Sequence, residues 1–143
     1  MELYSILYEL ILFRNKVFVN DPTEKTITAF EVGDDRKLTK LTEIKLPLAA
    51  DNIEFDDTTG EILIGTIPDV KAILNKKMSD PSIVVPGGIA VATPSKGGWT
   101  VTNVLEHDGT KLSQISAAAR WGSTVFLGSP FSEGLLACSD VKF

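Results

Sequence analysis

Asp51 and Asn52 stand side by side immediately before the short apolar run Ile53-Glu54-Phe55. A carboxylate next to a carboxamide is a pair of hard oxygen donors on one edge, and hard oxygens are what calcium takes. The same pair also suits an ordinary turn, in which Asp caps backbone amides and Asn tolerates an unusual backbone angle. Residue types alone leave both alternatives open. The remaining polar residues offer less. His107 is the only histidine and precedes an Asp108-Gly109 turn, which points to an exposed loop with no acid-base partner nearby in sequence. No Gly-X-Ser-X-Gly elbow occurs, which removes the usual serine-esterase route. The glycine pairs Gly87-Gly88 and Gly97-Gly98 lack the strand-to-helix setting of a phosphate loop. Asp56 and Asp57 read as residues that shape a turn, and Trp99 and Trp121 as packing residues.

The elements around Asp51 and Asn52 read as short strands. Lys16–Asn20, Lys25–Val32, Leu41–Leu46, Ile53–Phe55 and Ile62–Ile67 are β-branched or alternating, separated by turns at Asp21-Pro22, Gly33-Asp34-Asp35 and Asp57-Thr58-Thr59-Gly60. Pro68–Pro86 is less regular, and Val70–Lys77 fits a helical turn or a poor strand. Ile89–Thr93, Thr100–His107, Ser116–Trp121, Thr124–Leu127 and Leu135–Ser139 complete the chain. A weak internal repeat links Leu12–Asn20, Phe55–Gly65 and Ala119–Gly128, each a strand, a polar turn and a strongly apolar strand. Their second strands start at Val17, Ile62 and Val125, 45 and 63 residues apart, so the second interval carries an insertion. Multi-strand repeats at roughly 40–50 residues are the signature of a β-propeller. The fold class is therefore all-β: about two to three blades of four-stranded antiparallel sheet, which is only part of a ring.

The totals agree with one soluble-type domain: 143 residues, 43% hydrophobic and 23% charged. A net charge of −5 with basic residues interspersed among acidic ones argues against a nucleic-acid or anionic-membrane surface. The basic group Lys71, Lys76 and Lys77 is mixed with Asp69 and Asp80 and reads as a solvated face. Cys138 is the single cysteine, so no internal disulfide forms, and no Asn begins a glycosylation sequon. Residues 1–14 are apolar with Glu2 and Glu9 inside. That run is too short to span a bilayer and lacks the features of a signal peptide, so it reads as a packing helix or strand.

Three stretches resemble the C-terminal part of the paraoxonase/arylesterase family. They are Lys16–Val19 through Thr26–Glu31; Asp51-Asn52-Ile53 through Asp56, Thr59–Ile62 and Gly65; and Glu106 with Gly109-Thr110, Ala117-Ala118, Phe126–Gly128 and Leu136–Cys138. The resemblance runs from about residue 15 to the end, which leaves residues 1–14 as a segment without a family match. It implies a six-bladed propeller with calcium in its central channel. It also implies hydrolysis of small-molecule aryl esters and lactones, with the metal polarising the ester carbonyl as a Lewis acid.

By that resemblance Asp51 and Asn52 occupy two of the metal-ligand positions. A further ligand, an Asn in the preceding inner strand, falls near Leu7 and is not matched; Ile67 stands where the family has a histidine. The remaining ligands and a proposed histidine pair would precede Met1. Cys138 matches a family cysteine whose disulfide partner lies near the family's N-terminus, so here that partner is absent. The resemblance implies an extracellular or membrane-associated protein and allows lipid association. Catalytic residues remain unassigned. The chain reads as a fragment, inactive or nearly so by itself, and the alternative is a non-catalytic propeller segment used for binding or assembly.

Overall fold

The computed structural model describes residues 9–143, with the backbone alone at Ala72, Lys76 and Lys77. The apolar run expected over residues 1–14 lies outside the described residues as far as residue 8, and so does Leu7. The rest is nearly all β, in three antiparallel sheets that follow one another along the chain. The first holds β1 (Leu10–Phe13), β2 (Lys16–Asp21), β3 (Thr26–Val32) and β4 (Leu38–Lys45). The second holds β5 (Ala49–Asp56), β6 (Glu61–Ile67), β7 (Gly87–Ser95) and β8 (Gly98–His107). The third holds β9 (Ala117–Trp121), β10 (Thr124–Gly128) and β11 (Leu136–Cys138). Each is a simple meander, and consecutive sheets pack face to face as blades of a partial propeller.

The repeat visible in the sequence is the opening hairpin of each blade: β1–β2, β5–β6 and β9–β10. The insertion between the second and third copies contains the segment 68–86. Its start is helical, α1 (Val70–Ala72) followed by one π-turn over Ile73–Lys77, rather than a poor strand. Ile73 buries itself there against Ala49, Ile67 and Val85, which secures the insertion to the second blade.

Burial explains the strand patterns. β6 shows no alternation because it is covered on both sides. Ile62 and Ile64 face Phe18, Ile27, Ala29 and Ile44 of the first blade, whereas Leu63 faces Val125 and Leu127 of the third. Each such buried side chain contributes roughly 1.5–3 kcal/mol before entropy is subtracted. An aromatic group closes the first interface: Phe13 stacks on Phe55 at 4.1 Å and Phe18 meets the edge of Trp99 at 6.1 Å. Trp99 thus packs as expected. Trp121 does not: it is 80% exposed on the outer face of the third blade, so its reading as a packing residue is corrected. Among the described residues no helix is long and apolar enough to cross a membrane.

Two turns show the same chemistry. Asp21 Oδ1 accepts from the Thr23 and Glu24 amides, and Asp56 Oδ1 accepts from those of Thr58 and Thr59. Each turn then closes through a left-handed residue, Lys25 or Gly60.

Candidate metal-holding site

Asp51 and Asn52 do not precede a strand; they lie inside one. β5 begins at Ala49, and its pairing with β6 passes from Ala50↔Thr66 to Ile53↔Ile64. Asp51 and Asn52 therefore share the single opposite residue Gly65, which is a β-bulge. A bulge bends the strand and re-aims its side chains, and such features concentrate beside functional sites. The turn alternative is thereby corrected: the pair caps no turn.

Three neighbours hold the bulge in shape. The Asn52 amide donates to the Ser116 carbonyl at 3.0 Å, and Asn52 Nδ2 donates to Ser116 Oγ at 3.0 Å. Asn20, at the end of β2 and fully buried, donates from Nδ2 to the Asp51 carbonyl at 2.5 Å and to the Ala50 carbonyl at 3.3 Å. Gln114, 5% exposed, donates from Nε2 to Asp51 Oδ2 at 3.1 Å. The approach of Ser116 explains Gly65. A Cβ at that position would lie 2.1 Å from the Ser116 oxygen, so only glycine lets the third blade come this close.

A second carboxylate joins the group. Glu9 accepts the Ile53 amide hydrogen through Oε2, and its carbonyl receives the Asn20 amide at 3.0 Å. Burial pushes the Glu9 carboxyl up; the Ile53 hydrogen bond opposes this, and the negative charges of Asp51 and Glu54 add to it. The net shift is upward. A cleft of about 280 Å³ opens beside these residues, with Glu9, Asn52 and Glu54 on one side and Ala119, Phe126 and Leu135 on the other.

Two acceptors in this neighbourhood lack a partner among the described residues: Asn20 Oδ1 and Gln114 Oε1. Leaving a buried acceptor unpaired costs about 1–3 kcal/mol. Gln114 carries a further cost, since its φ of 57° is left-handed and it is not glycine. Among the described residues no three His, Cys, Asp or Glu side chains gather at one point. The donor set is instead the Asp51 and Glu9 carboxylates with amide oxygens. That chemistry fits a hard cation such as calcium and does not suit a soft metal. The residues present fit calcium, with water completing the six to eight oxygens it takes.

The other candidates lie elsewhere. Asp56 is committed to its turn and to Arg120, which donates from Nε at 2.9 Å. His107 ends β8 and is largely buried, with Nδ1 accepting the Gly109 amide at 2.8 Å, so the expectation of an exposed loop is corrected. It lines a separate cleft of about 480 Å³ with Leu48, Thr66, Gly88 and Leu105. Cys138 is a free thiol in β11, partly buried against the core between the second and third blades. Asn20, Glu9, Gln114 and Ser116 were not singled out from sequence. Only Asn20 gives a local signal, as an amide ending the apolar run Val17-Phe18-Val19.

The family model described as Arylesterase matches residues 9–139. Serum paraoxonase/lactonase 3 of Oryctolagus cuniculus is 29% identical over 126 residues, covering 87% of this chain and 34% of that protein. The Homo sapiens protein of that name is 30% identical over 121 residues, covering 83% of this chain and 33% of its own length. The chain thus spans about a third of the length of the curated relatives it matches. With the family match covering all three blades, the chain belongs to the arylesterase family.

Proposed function

We propose that this chain provides the calcium-holding edge of a paraoxonase-type hydrolase acting on small-molecule esters or lactones. The observation that carries this is the Asp51-Asn52 bulge, braced by Ser116 and Asn20 and set inside the family match. Calcium bound there supplies Lewis acidity toward an ester carbonyl oxygen. Asp51 contributes the charge that attracts the cation. Asn52 is oriented by the hydrogen bond its Nδ2 donates to Ser116 Oγ, which leaves its side-chain oxygen for the ion. The apolar wall of Ala119, Phe126 and Leu135 suits the body of an aryl or alkyl ester. Lactones enter the reading because the relatives are named paraoxonase/lactonase, and an extracellular or membrane-associated location because those names say serum. A disulfide at Cys138 to a cysteine outside this sequence belongs to the same reading.

The 143-residue chain by itself is inactive or nearly so. Its one histidine has Nδ1 occupied by Gly109, and no other histidine is available for proton transfer. A second reading, a non-catalytic segment for binding or assembly, draws on the exposed outer face of the third blade, where Trp121 is 80% and Leu135 73% accessible.

Thermal unfolding across a calcium titration separates the two. Stabilisation that grows with calcium and disappears in Asp51→Asn supports the metal-holding reading. A melting temperature indifferent to millimolar calcium supports the second.

A further inference from the structure

The cleft of about 480 Å³ lies at the end of the second blade where β6 stops, β7 starts and β8 stops. That volume falls in the range of small-molecule sites. It shares no residue with the cleft beside the bulge. Leu48, arriving from the first blade, and Pro68, Pro86 and Leu105 line it with apolar surface. The two prolines bracket the insertion, and their fixed φ makes these walls stiff. Gly88 keeps the interior open. A Cβ there would lie 2.9 Å from the Thr66 hydroxyl oxygen and 2.6 Å from the Leu105 carbonyl oxygen. Thr66 is itself only 4% exposed and pairs with Gly88 across β6 and β7.

His107 supplies the directional group. Its Nδ1 accepts the Gly109 amide at 2.8 Å, so a neutral ring carries its proton on Nε2. One edge of the ring is thereby committed to its own loop, and the other edge offers an N–H donor. Nε2 has no hydrogen-bond partner among the described residues. The side chain is 17% exposed and lines the cleft. Glu106 and Asp108 flank His107 in the chain and line the same cleft, so their charge disfavours an anion. An ammonium would find the carboxylates but leave the Nε2 donor unmet. We propose that this cleft binds a neutral, largely apolar small molecule through a carbonyl oxygen, which accepts from His107 Nε2, with the Thr66 hydroxyl as a second donor. The site stands apart from the calcium-holding reading, and neither needs the other.

Nuclear magnetic resonance of the full 143-residue chain tests it, because His107 is the only histidine and its ring signals overlap with no other imidazole. The probes share a naphthalene body: 2-acetylnaphthalene, 2-naphthoate and 2-naphthylmethylammonium. Long-range nitrogen spectra of the free protein show the proton on Nε2. The ketone shifts the His107 ring and the amides of Gly88 and Leu105, with half-saturation below about 1 mM. The two charged probes bind about fivefold more weakly or worse, and Thr66→Val and His107→Phe each weaken the ketone about fivefold, the worth of one hydrogen bond. A proton on Nδ1, or no shift at His107 up to about 1 mM ketone, overturns the proposal. So do shifts that gather instead at Ala119, Phe126 and Leu135, or a charged probe that binds as tightly as the ketone. Wild-type affinity in both variants overturns it as well, and if His107→Phe does not fold, wild-type affinity in Thr66→Val alone suffices.

Discussion

Asn52 and Ser116 are joined twice: the main-chain amide of Asn52 donates to the Ser116 carbonyl, and its side-chain amide donates to the Ser116 hydroxyl, each at 3.0 Å. One residue of the third blade thus sets both the backbone and the side chain of a bulged residue in the second. Ser116→Ala removes only the hydroxyl bond. It costs about 1 kcal/mol in stability. It also frees the Asn52 side chain to rotate, so calcium affinity falls several-fold while the fold persists. Chemical denaturation and calcium titration of the same sample check the two effects.

Gly65 makes that junction possible. Gly65→Ala places a methyl group 2.1 Å from the Ser116 carbonyl oxygen, an overlap that backbone must relieve. The expected loss is about 3 kcal/mol or more, with the third blade displaced from the second. A thermal melt that leaves Gly65→Ala equal to the wild type contradicts the close approach.

At the opposite end of β5, Arg120 draws the same two blades together. Its guanidinium reaches Asp56 Oδ2 at 2.5 Å, Glu61 Oε2 at 2.8 Å and Thr59 Oγ1 at 2.7 Å. Burial pushes both carboxyls up, but hydrogen bonds from Arg120 and the turn amides or hydroxyls outweigh it, so both end below their ordinary values of 3.8 and 4.5. A carboxyl depressed in the folded state contributes stability above its unfolded pKa and loses it as pH falls through the folded one. The wild type therefore loses stability below about pH 4. Arg120→Met removes about 2 kcal/mol at neutral pH and flattens that acid limb. Urea midpoints measured from neutral to acid pH show whether it does.

Glu9 has the opposite sign. Burial raises its carboxyl above the ordinary value, with Asp51 and Glu54 adding to the rise. Stability from this group is present below the unfolded pKa and is lost as pH rises through the folded one. In calcium-free solution Glu9→Gln therefore melts slightly higher than the wild type at neutral pH and equal to it near pH 4. With calcium the order reverses, because the variant lacks a charge that the cation attracts. Melting curves at the two pH values, with and without chelator, resolve the four cases.

Hydrolysis of phenyl acetate by the 143-residue chain stays at the background rate, with or without calcium. A calcium-dependent rate abolished by Asp51→Asn contradicts the inactivity of the isolated chain.

Much of the fold was legible because strands announce themselves locally. The hairpins at Val17, Ile62 and Val125 repeat a turn and an apolar strand, and their spacing indicates both the blades and the insertion. The start of β5 was not legible. Ala49 and Ala50 carry no strand pattern, and the bulge exists only through pairing with β6. The site divides similarly. Asp51 and Asn52 are adjacent, so their chemistry is visible in one line of sequence. Asn20 and Gln114 reach Asp51 from 31 and 63 residues away, and no local rule brings them there. Trp121 shows the converse: an indole usually packs, but parity along β9 turns this one to the outer face of the last blade.

In the proposed function Asp51 holds calcium at the bulge. Terbium, a calcium mimic in size and ligand preference, reads this through its own directly excited luminescence, which brightens and lengthens in lifetime when protein oxygens replace water on the ion. A wild-type chain that holds calcium there gives a saturable signal that calcium displaces, magnesium displaces far less well, and Asp51→Asn abolishes. A signal that survives Asp51→Asn unchanged, or a wild-type chain that gives none and shows no calcium heat by calorimetry, contradicts it.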